Sequence, residues 1–103
     1  LPECPISTMD GVKVADVGWY SQTRLVRLDG QIAFEIAPEI CVEVLSPSIT
    51  KFEIDYKRTL YFQADAEGFW VCDLKGRMSY FHRDNPTENR SSSQICPNFP
   101  NAS

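Results

Sequence analysis

Residues 37–48 read Ala37-Pro38-Glu39-Ile40-Cys41-Val42-Glu43-Val44-Leu45-Ser46-Pro47-Ser48, and one carboxylate in this stretch governs how the whole chain is understood. Residues 40–45 form a nearly continuous apolar run, the pattern of a central strand covered on both faces. Glu43 lies inside that run. A carboxylate buried there is costly unless it is paired, protonated or bound to a metal. Pro38 closes the region before the strand, and Ser46-Pro47-Ser48 ends it.

Downstream, Thr50-Lys51-Phe52-Glu53 matches the capping box, in which a hydroxyl and a carboxylate satisfy the free amides at a helix start. The helix is predicted to run to about Asp65. Tyr56, Leu60 and Ala64 recur at four-residue intervals as its buried row. Glu53, Lys57 and Tyr61 form the adjacent row, so Lys57 borders the buried face. Gly68 ends the helical region, and residues 69–74 and 78–82 bracket Lys75-Gly76-Arg77 as a hairpin with Gly in its turn. Upstream, Gly11 opens an alternating strand over residues 12–17, with Val12, Val14 and Asp16 on one face and Lys13, Ala15 and Val17 on the other. Residues 1–10 contain two prolines and read as irregular. Residues 18–31 are mixed, with a turn at Asp29-Gly30. Residues 32–36 suit a short strand or an ordered loop. Residues 83–103 read as a polar tail whose last part, from Cys96 to Pro100, lies across the surface.

The 103 residues suffice for one domain, and 43% hydrophobic with 23% charged residues is ordinary globular composition. Trp19 and Trp70 are core residues by default. The net charge is −4. A domain that binds nucleic acid through its overall charge is basic. Any such role here must therefore rest on a metal site and local basic residues, or on a part of the protein outside these residues. No apolar stretch approaches the roughly 20 residues of a membrane helix, and no secretion signal is visible. A cytoplasmic chain is expected, with Cys4, Cys41, Cys72 and Cys96 as reduced thiols. They form no close pair of the kind zinc sites show. His82, the single histidine, has no serine or cysteine nucleophile in a recognisable setting, so triad chemistry is not indicated.

Two strands thus each carry a carboxylate, Asp16 and Glu43, and a helix carrying Lys57 follows the second. Metal-assisted phosphodiester cleavage needs these groups. Hard cations such as magnesium take oxygen ligands, commonly one or two carboxylates with waters and substrate phosphate. The cation improves water as a nucleophile, and a nearby lysine can orient that water or stabilise the transition state. Each residue also has a structural reading. Asp16 can cap a strand end, Glu43 can pair with Lys57, Glu53 and Lys57 can form a helical ion pair, and Tyr61 can be core.

Gly11-Val12-Lys13-Val14-Ala15-Asp16-Val17-Gly18-Trp19 resembles the G-x-x-x-P-D-V-A-W segment of the Uma-two family, restriction-endonuclease-like bacterial proteins of the PD-(D/E)XK nuclease superfamily. Residues 37–48 resemble that family's A-P-D-l-v-V-E-V-L-S-P-S signature. The spacing continues to Lys57, Tyr61 and the Phe69-Trp70 pair with Asp73, so the similarity spans residues 3–82. It implies an α/β fold, a restriction endonuclease-like mixed β-sheet with a flanking helix after the acidic central strand and a following β-hairpin. It further implies that Asp16, Glu43 and the Val44 carbonyl hold magnesium, with manganese able to substitute. Asp16 takes the place of the Asp in P-D, and Glu43 that of the acidic residue in (D/E)-X-K. The motif's lysine position falls on Leu45, and Lys57 on the following helix replaces it as the third catalytic residue. Glu53, where many members have Asp, and Tyr61 are supporting candidates. Ala15 departs from the usual Pro. The chain opens on Leu1, and 1–103 is expected to be a single domain, a carboxy-terminal fragment lacking the family's amino-terminal helix and a further carboxylate. The implied function is a metal-dependent endonuclease hydrolysing DNA phosphodiester bonds. The rival is a catalytically inactive nuclease-fold protein with a regulatory or partner-binding role. The sequence leaves the oligomer open; the resemblance to nucleases that dimerise to cut both strands admits a homodimer, with the hairpin over residues 69–81 as its suspected apolar surface.

Overall fold

The structure, a computed structural model, describes residues 1–27 and 36–90. Six strands, β1 (Pro2–Thr8), β2 (Gly11–Trp19), β3 (Ile40–Val44), β4 (Gly68–Cys72), β5 (Met78–His82) and β6 (Asn85–Arg90), accompany two helices, α1 (Gln22–Arg27) and α2 (Lys51–Gln63). The strands form one sheet in sequence order. Neighbours are antiparallel except β3 and β4, which run parallel. A parallel pair needs a crossover, and α2 provides it. The mixed sheet, the helix after the acidic strand and the following hairpin are therefore all present.

Local chemistry explains the ends of α2. Thr50 Oγ1 accepts from the Glu53 N–H at 3.1 Å, the first half of the capping box. At the other end Asp65 adopts φ 75°, the Asp65 N–H donates to Phe62 O at 3.1 Å and the Ala66 N–H to Tyr61 O at 2.9 Å. This is a Schellman stop in which Asp takes the place usual for Gly. Its left-handed backbone costs about 1 kcal/mol or more. Arg24, donating to the Asp65 carbonyl at 2.8 Å, and Arg83, donating to its carboxylate at 3.0 Å, hold it there. The helix therefore ends before Gly68, which instead opens β4. Its buried residues are Ile54, Leu60, Tyr61 and Phe62, while Tyr56, expected in the buried row, is exposed.

The main core lies between α2 and one sheet face. Ile54, Tyr61 and Phe62 pack with Cys4, Ile6, Ala15, Cys41, Phe69 and Val71. On the other face Ile40, Trp70 and Tyr80 form a smaller cluster with Trp19, Val42 and Met78 against it. Trp70 and Tyr80 meet edge to face at 5.1 Å. The β4–β5 turn is built as its sequence suggests: Gly76 has φ 79°, and Asp73 Oδ1 accepts from the Lys75 and Arg77 N–H groups at 2.8 Å each. Those amides hold the Asp73 carboxyl below its ordinary range.

Three segments differ from their sequence reading. Residues 1–10, read as irregular, contain β1, which pairs with β2 from Pro2 opposite Val17 to Thr8 opposite Gly11. Residues 83–103, read as a polar tail, contain β6 against β5. Both are edge strands, where Pro and polar residues are tolerated because one side of the backbone has no ladder to complete. Within residues 18–31 lies α1, whose six residues bury no side chain and so give no periodic signal. The turn at Asp29-Gly30, most of residues 32–36 and the Cys96 to Pro100 segment lie outside the described residues. Cys4, Cys41 and Cys72 are free thiols. No helix among the described residues is long and apolar enough to cross a membrane.

Gly18 marks the tightest approach between strands and loop. A Cβ placed there would stand 2.9 Å from both Cys4 Sγ and Pro38 Cγ. Gly18→Ala is expected to cost about 1–3 kcal/mol by overpacking, read from urea unfolding. A cost below about 0.5 kcal/mol, the size of an ordinary surface change, would show that β1 and the Pro38 segment yield freely.

Candidate active site

Glu43 points from β3 into the core beneath α2, and its side chain is 1% exposed. Two side chains one helical turn apart receive it. Lys57 Nζ lies 3.2 Å from Oε1, and the Tyr61 hydroxyl donates to Oε2 at 3.1 Å. Lys57 also donates to the Val14 carbonyl of β2 at 3.1 Å, so one ammonium ties helix, central strand and neighbouring strand together. The i, i+4 partner suggested by sequence, Glu53, is not the one Lys57 takes. Glu53 is exposed on the first turn of α2, and its N–H is engaged by Thr50.

Asp16 reaches the same place from β2. Ala15 packs in the main core, and Gly18 also faces it, against Cys4. Two inward positions three residues apart break the two-residue alternation of a strand, and Asp16 and Val17 between them are exposed. The paired register of β2 with β3 ends at Val17 opposite Val42. Beyond it the Val44 N–H donates to Asp16 Oδ2 at 2.7 Å. Asp16, Glu43 and Val44 are thereby brought together at one end of the β2–β3 pair, with Lys57 and Tyr61 above Glu43.

The electrostatics follow from this geometry. Burial pushes the Glu43 carboxyl above its ordinary range; the Lys57 ammonium opposes the shift, the Asp16 charge adds to it, and the Tyr61 hydrogen bond opposes it. Burial first, and then the Glu43 charge, push the Tyr61 hydroxyl well above the ordinary tyrosine range, which keeps it a donor. A buried carboxyl that resists ionisation, beside a second carboxylate and the Val44 carbonyl, is an oxygen donor set of the kind a hard divalent cation would take. The residues present fit such an ion. Among the described residues no group of three or more His, Cys, Asp and Glu side chains gathers, so two carboxylates are the full acidic complement there.

Sequence reasoning missed the residues that position this end of the sheet. Glu39 is buried, with 7% of its surface exposed. Its Oε1 accepts from the Ser21 N–H at 3.0 Å, and its Oε2 lies 3.6 Å from Arg24 Nε. Arg24 also donates to the Ala37 carbonyl at 2.8 Å. Together they pin α1 to the segment that leads into β3. The available signal was the acidic residue between Pro38 and an apolar run, which has the same burial problem as Glu43. The Val14 carbonyl, a backbone group, left no signal.

The folded chain holds the Glu43 proton more tightly than the unfolded chain does. Glu43 therefore contributes a loss of stability as pH rises from the ordinary carboxylate range through its folded value. Glu43→Gln removes that contribution. Relative to the parent, the variant is expected to gain stability as pH rises above about 4, the ordinary carboxylate range, compared through urea midpoints. A difference that moves the other way would mean that Lys57 and Tyr61 outweigh burial.

Comparison with known proteins bears on the fold and the family. The Uma2 family model, described as "Putative restriction endonuclease", matches residues 2–102. The crystal structure of a putative nuclease belonging to DUF820 from Anabaena variabilis matches with a TM-score of 0.70 at 19% identity, over 87% of this chain and 51% of that one. The chain thus spans about half the length of that structure's chain. At this identity the likeness speaks for the fold, a nuclease-like mixed sheet. No curated protein matches. With the family model covering nearly its whole length, the chain belongs to the Uma2 family of restriction endonuclease-like proteins.

Proposed function

We propose that this chain carries the centre of a metal-dependent endonuclease that hydrolyses DNA phosphodiester bonds. Asp16, Glu43 and the Val44 carbonyl would hold magnesium, or manganese in its place. The supporting observation is Glu43 itself, a charged group placed in a core strand against the interest of stability and kept there by two donors from one helix. DNA as substrate is what a restriction endonuclease family suggests.

A divalent cation at this site supplies positive charge at the phosphate and improves water as a nucleophile. Lys57 has no lone pair while its Nζ is protonated, so it acts as a donor. It orients the attacking water or stabilises charge growing on the phosphate oxygens. Tyr61 and the Val44 N–H hold the two carboxylates in place without joining the reaction. Water oxygen bonds to phosphorus and releases a proton to solvent, the bond to the leaving sugar oxygen breaks, and that oxygen takes up a proton from solvent. The net charge of −4 leaves phosphate contact to these local groups. A homodimer would bring two such centres to opposite strands. The apolar side chains that marked residues 69–81 as its surface, Phe69, Trp70, Val71 and Tyr80, are buried within the chain's own sheet.

A second reading has its own observation. Both Glu43 oxygens already have a protein partner, as a structural ion pair in a catalytically inactive protein with a regulatory or partner-binding role would. Plasmid cleavage with magnesium or manganese separates the two. Lys57→Ala and Asp16→Asn are each expected to lower the rate about 10²–10³-fold, and EDTA to abolish it. Folded protein that neither cuts DNA nor binds either metal would favour the structural reading.

A further inference from the structure

The outer side of α2 carries a feature that the site does not use. Phe52 is 77% exposed and Tyr56 41%. They stand one turn apart with rings stacked, centroids 6.2 Å apart and planes inclined by 12°. Such a pair adds only modestly to the stability of an exposed helix, and it leaves a flat aromatic face in water. The face is held in place. The Tyr56 hydroxyl donates to Asp10 Oδ2 at 2.9 Å, and Asp10, in the turn between β1 and β2, lies 3.5 Å from Lys13 Nζ. One residue further on, Lys57 bonds the Val14 carbonyl of β2. Consecutive residues of α2 thus clamp the helix to the hairpin that carries Asp16. Tyr56 adjoins Lys57 in sequence, and Phe52 stands five residues from Lys57, about 7.5 Å along the axis and about 140° around it. Lys13 and the exposed Lys51 are each paired with a carboxylate there, Asp10 and Asp55.

We propose that the Phe52–Tyr56 stack is a base-stacking platform for single-stranded DNA beside the Asp16–Glu43–Lys57 site. Every base has a π-face, so stacking on aromatic side chains binds single strands with little regard to sequence. A duplex hides those faces. Stacking also resolves the conflict posed by the chain's charge. A protein of net charge −4 cannot rely on broad phosphate neutralisation, and stacking supplies affinity that does not require it. The placement beside a cleavage centre rests on the nuclease reading of that site, whereas the stacking does not.

Binding measured in EDTA, where no cleavage occurs, tests this directly. The probe is a fluorescein-labelled thymidine oligomer of about twelve nucleotides, within the span that single-strand-binding domains cover, with a duplex of equal length as comparison. The chain is expected to prefer the single strand. Phe52→Ala is expected to weaken that binding about tenfold and leave the duplex unaffected, with an unchanged urea midpoint showing that it remains folded. Phe52→Trp should restore the affinity, with its indole fluorescence quenched on binding. With few phosphate contacts, log affinity against log salt should have a slope no steeper than about −2. No preference for the single strand, or a Phe52→Ala variant that binds like the parent or weakens on both probes alike, would overturn the proposal. Failure of the nuclease reading looks different. Phe52-dependent binding without metal-dependent cleavage would leave the platform standing, and Lys57-dependent cleavage with single-strand binding indifferent to Phe52 would remove the platform alone.

Discussion

The hydrogen-bonded burial of Glu43 is the constraint on which the rest of the structure depends. A carboxylate in a core strand must find donors inside the fold, because an unsatisfied charged group there costs several kcal/mol. Its two donors, Lys57 and Tyr61, lie one turn apart on α2 and reach different oxygens. That requirement sets the rotation of the helix about its axis. It turns Tyr61 and Phe62 inward, leaves Tyr56 outside, and brings the Lys57 ammonium against the Val14 carbonyl. The same helix must bridge β3 and β4, since the two run parallel. Connectivity and charge satisfaction therefore demand the same placement of one element. A chain selected for stability alone would put Leu at position 43, as replacing buried ion pairs by packed apolar groups is often neutral or stabilising.

What the sequence revealed followed the strength of local chemistry. The Thr50 cap, the Gly76 turn and the apolar strand around Glu43 each carry a signal within a few residues, and each appears where its residues suggested. The edge strands did not show. β1 holds Pro2 and Pro5, which read as breakers although an edge tolerates them, and β6 is polar along nearly its whole length. The end of α2 near Asp65 was legible, but what makes the stop was not: its left-handed residue is Asp65 itself, held by Arg24 and Arg83 from distant parts of the chain. The Tyr56 row was misassigned because spacing alone does not choose between adjacent stripes of a helix. The buried carboxylate that has to be satisfied makes that choice. Glu39 and Arg24 escaped notice for a related reason: Glu39 bonds Ser21, and Arg24 the Ala37 and Asp65 carbonyls, each far from its partner along the chain.

The roles assigned to Asp16 and Val44 came from family likeness and not from pattern. Alternation put Asp16 on a face with Val12 and Val14 and away from Ala15. The structure agrees: Val12, Val14 and Asp16 are exposed and Ala15 is buried. The alternation breaks only after Asp16, where Val17 is exposed and Gly18 turns inward against Cys4 and Pro38. What spacing could not show is that Asp16 there meets the Val44 N–H, a backbone group of the next strand.

The position of Lys57 on the helix, with Leu at 45, has a simple steric account. Residues 43 and 45 lie on the same face of the chain leaving β3, so a lysine at 45 would project under α2 beside Glu43. Leu45 occupies that place and packs against the main core. The face is roofed by α2, so an ammonium can reach the carboxylate equally well from above, and Lys57 does so at 3.2 Å. Moving the lysine from strand to helix exchanges a charged core position for an apolar one. The ammonium then enters from a residue whose side chain is 27% exposed. The aliphatic stem of Lys57 covers apolar surface while its charge stays near solvent. The exchange keeps the charge pair and relieves one of its two desolvation costs, which is a physical reason for a nuclease-like fold to tolerate it.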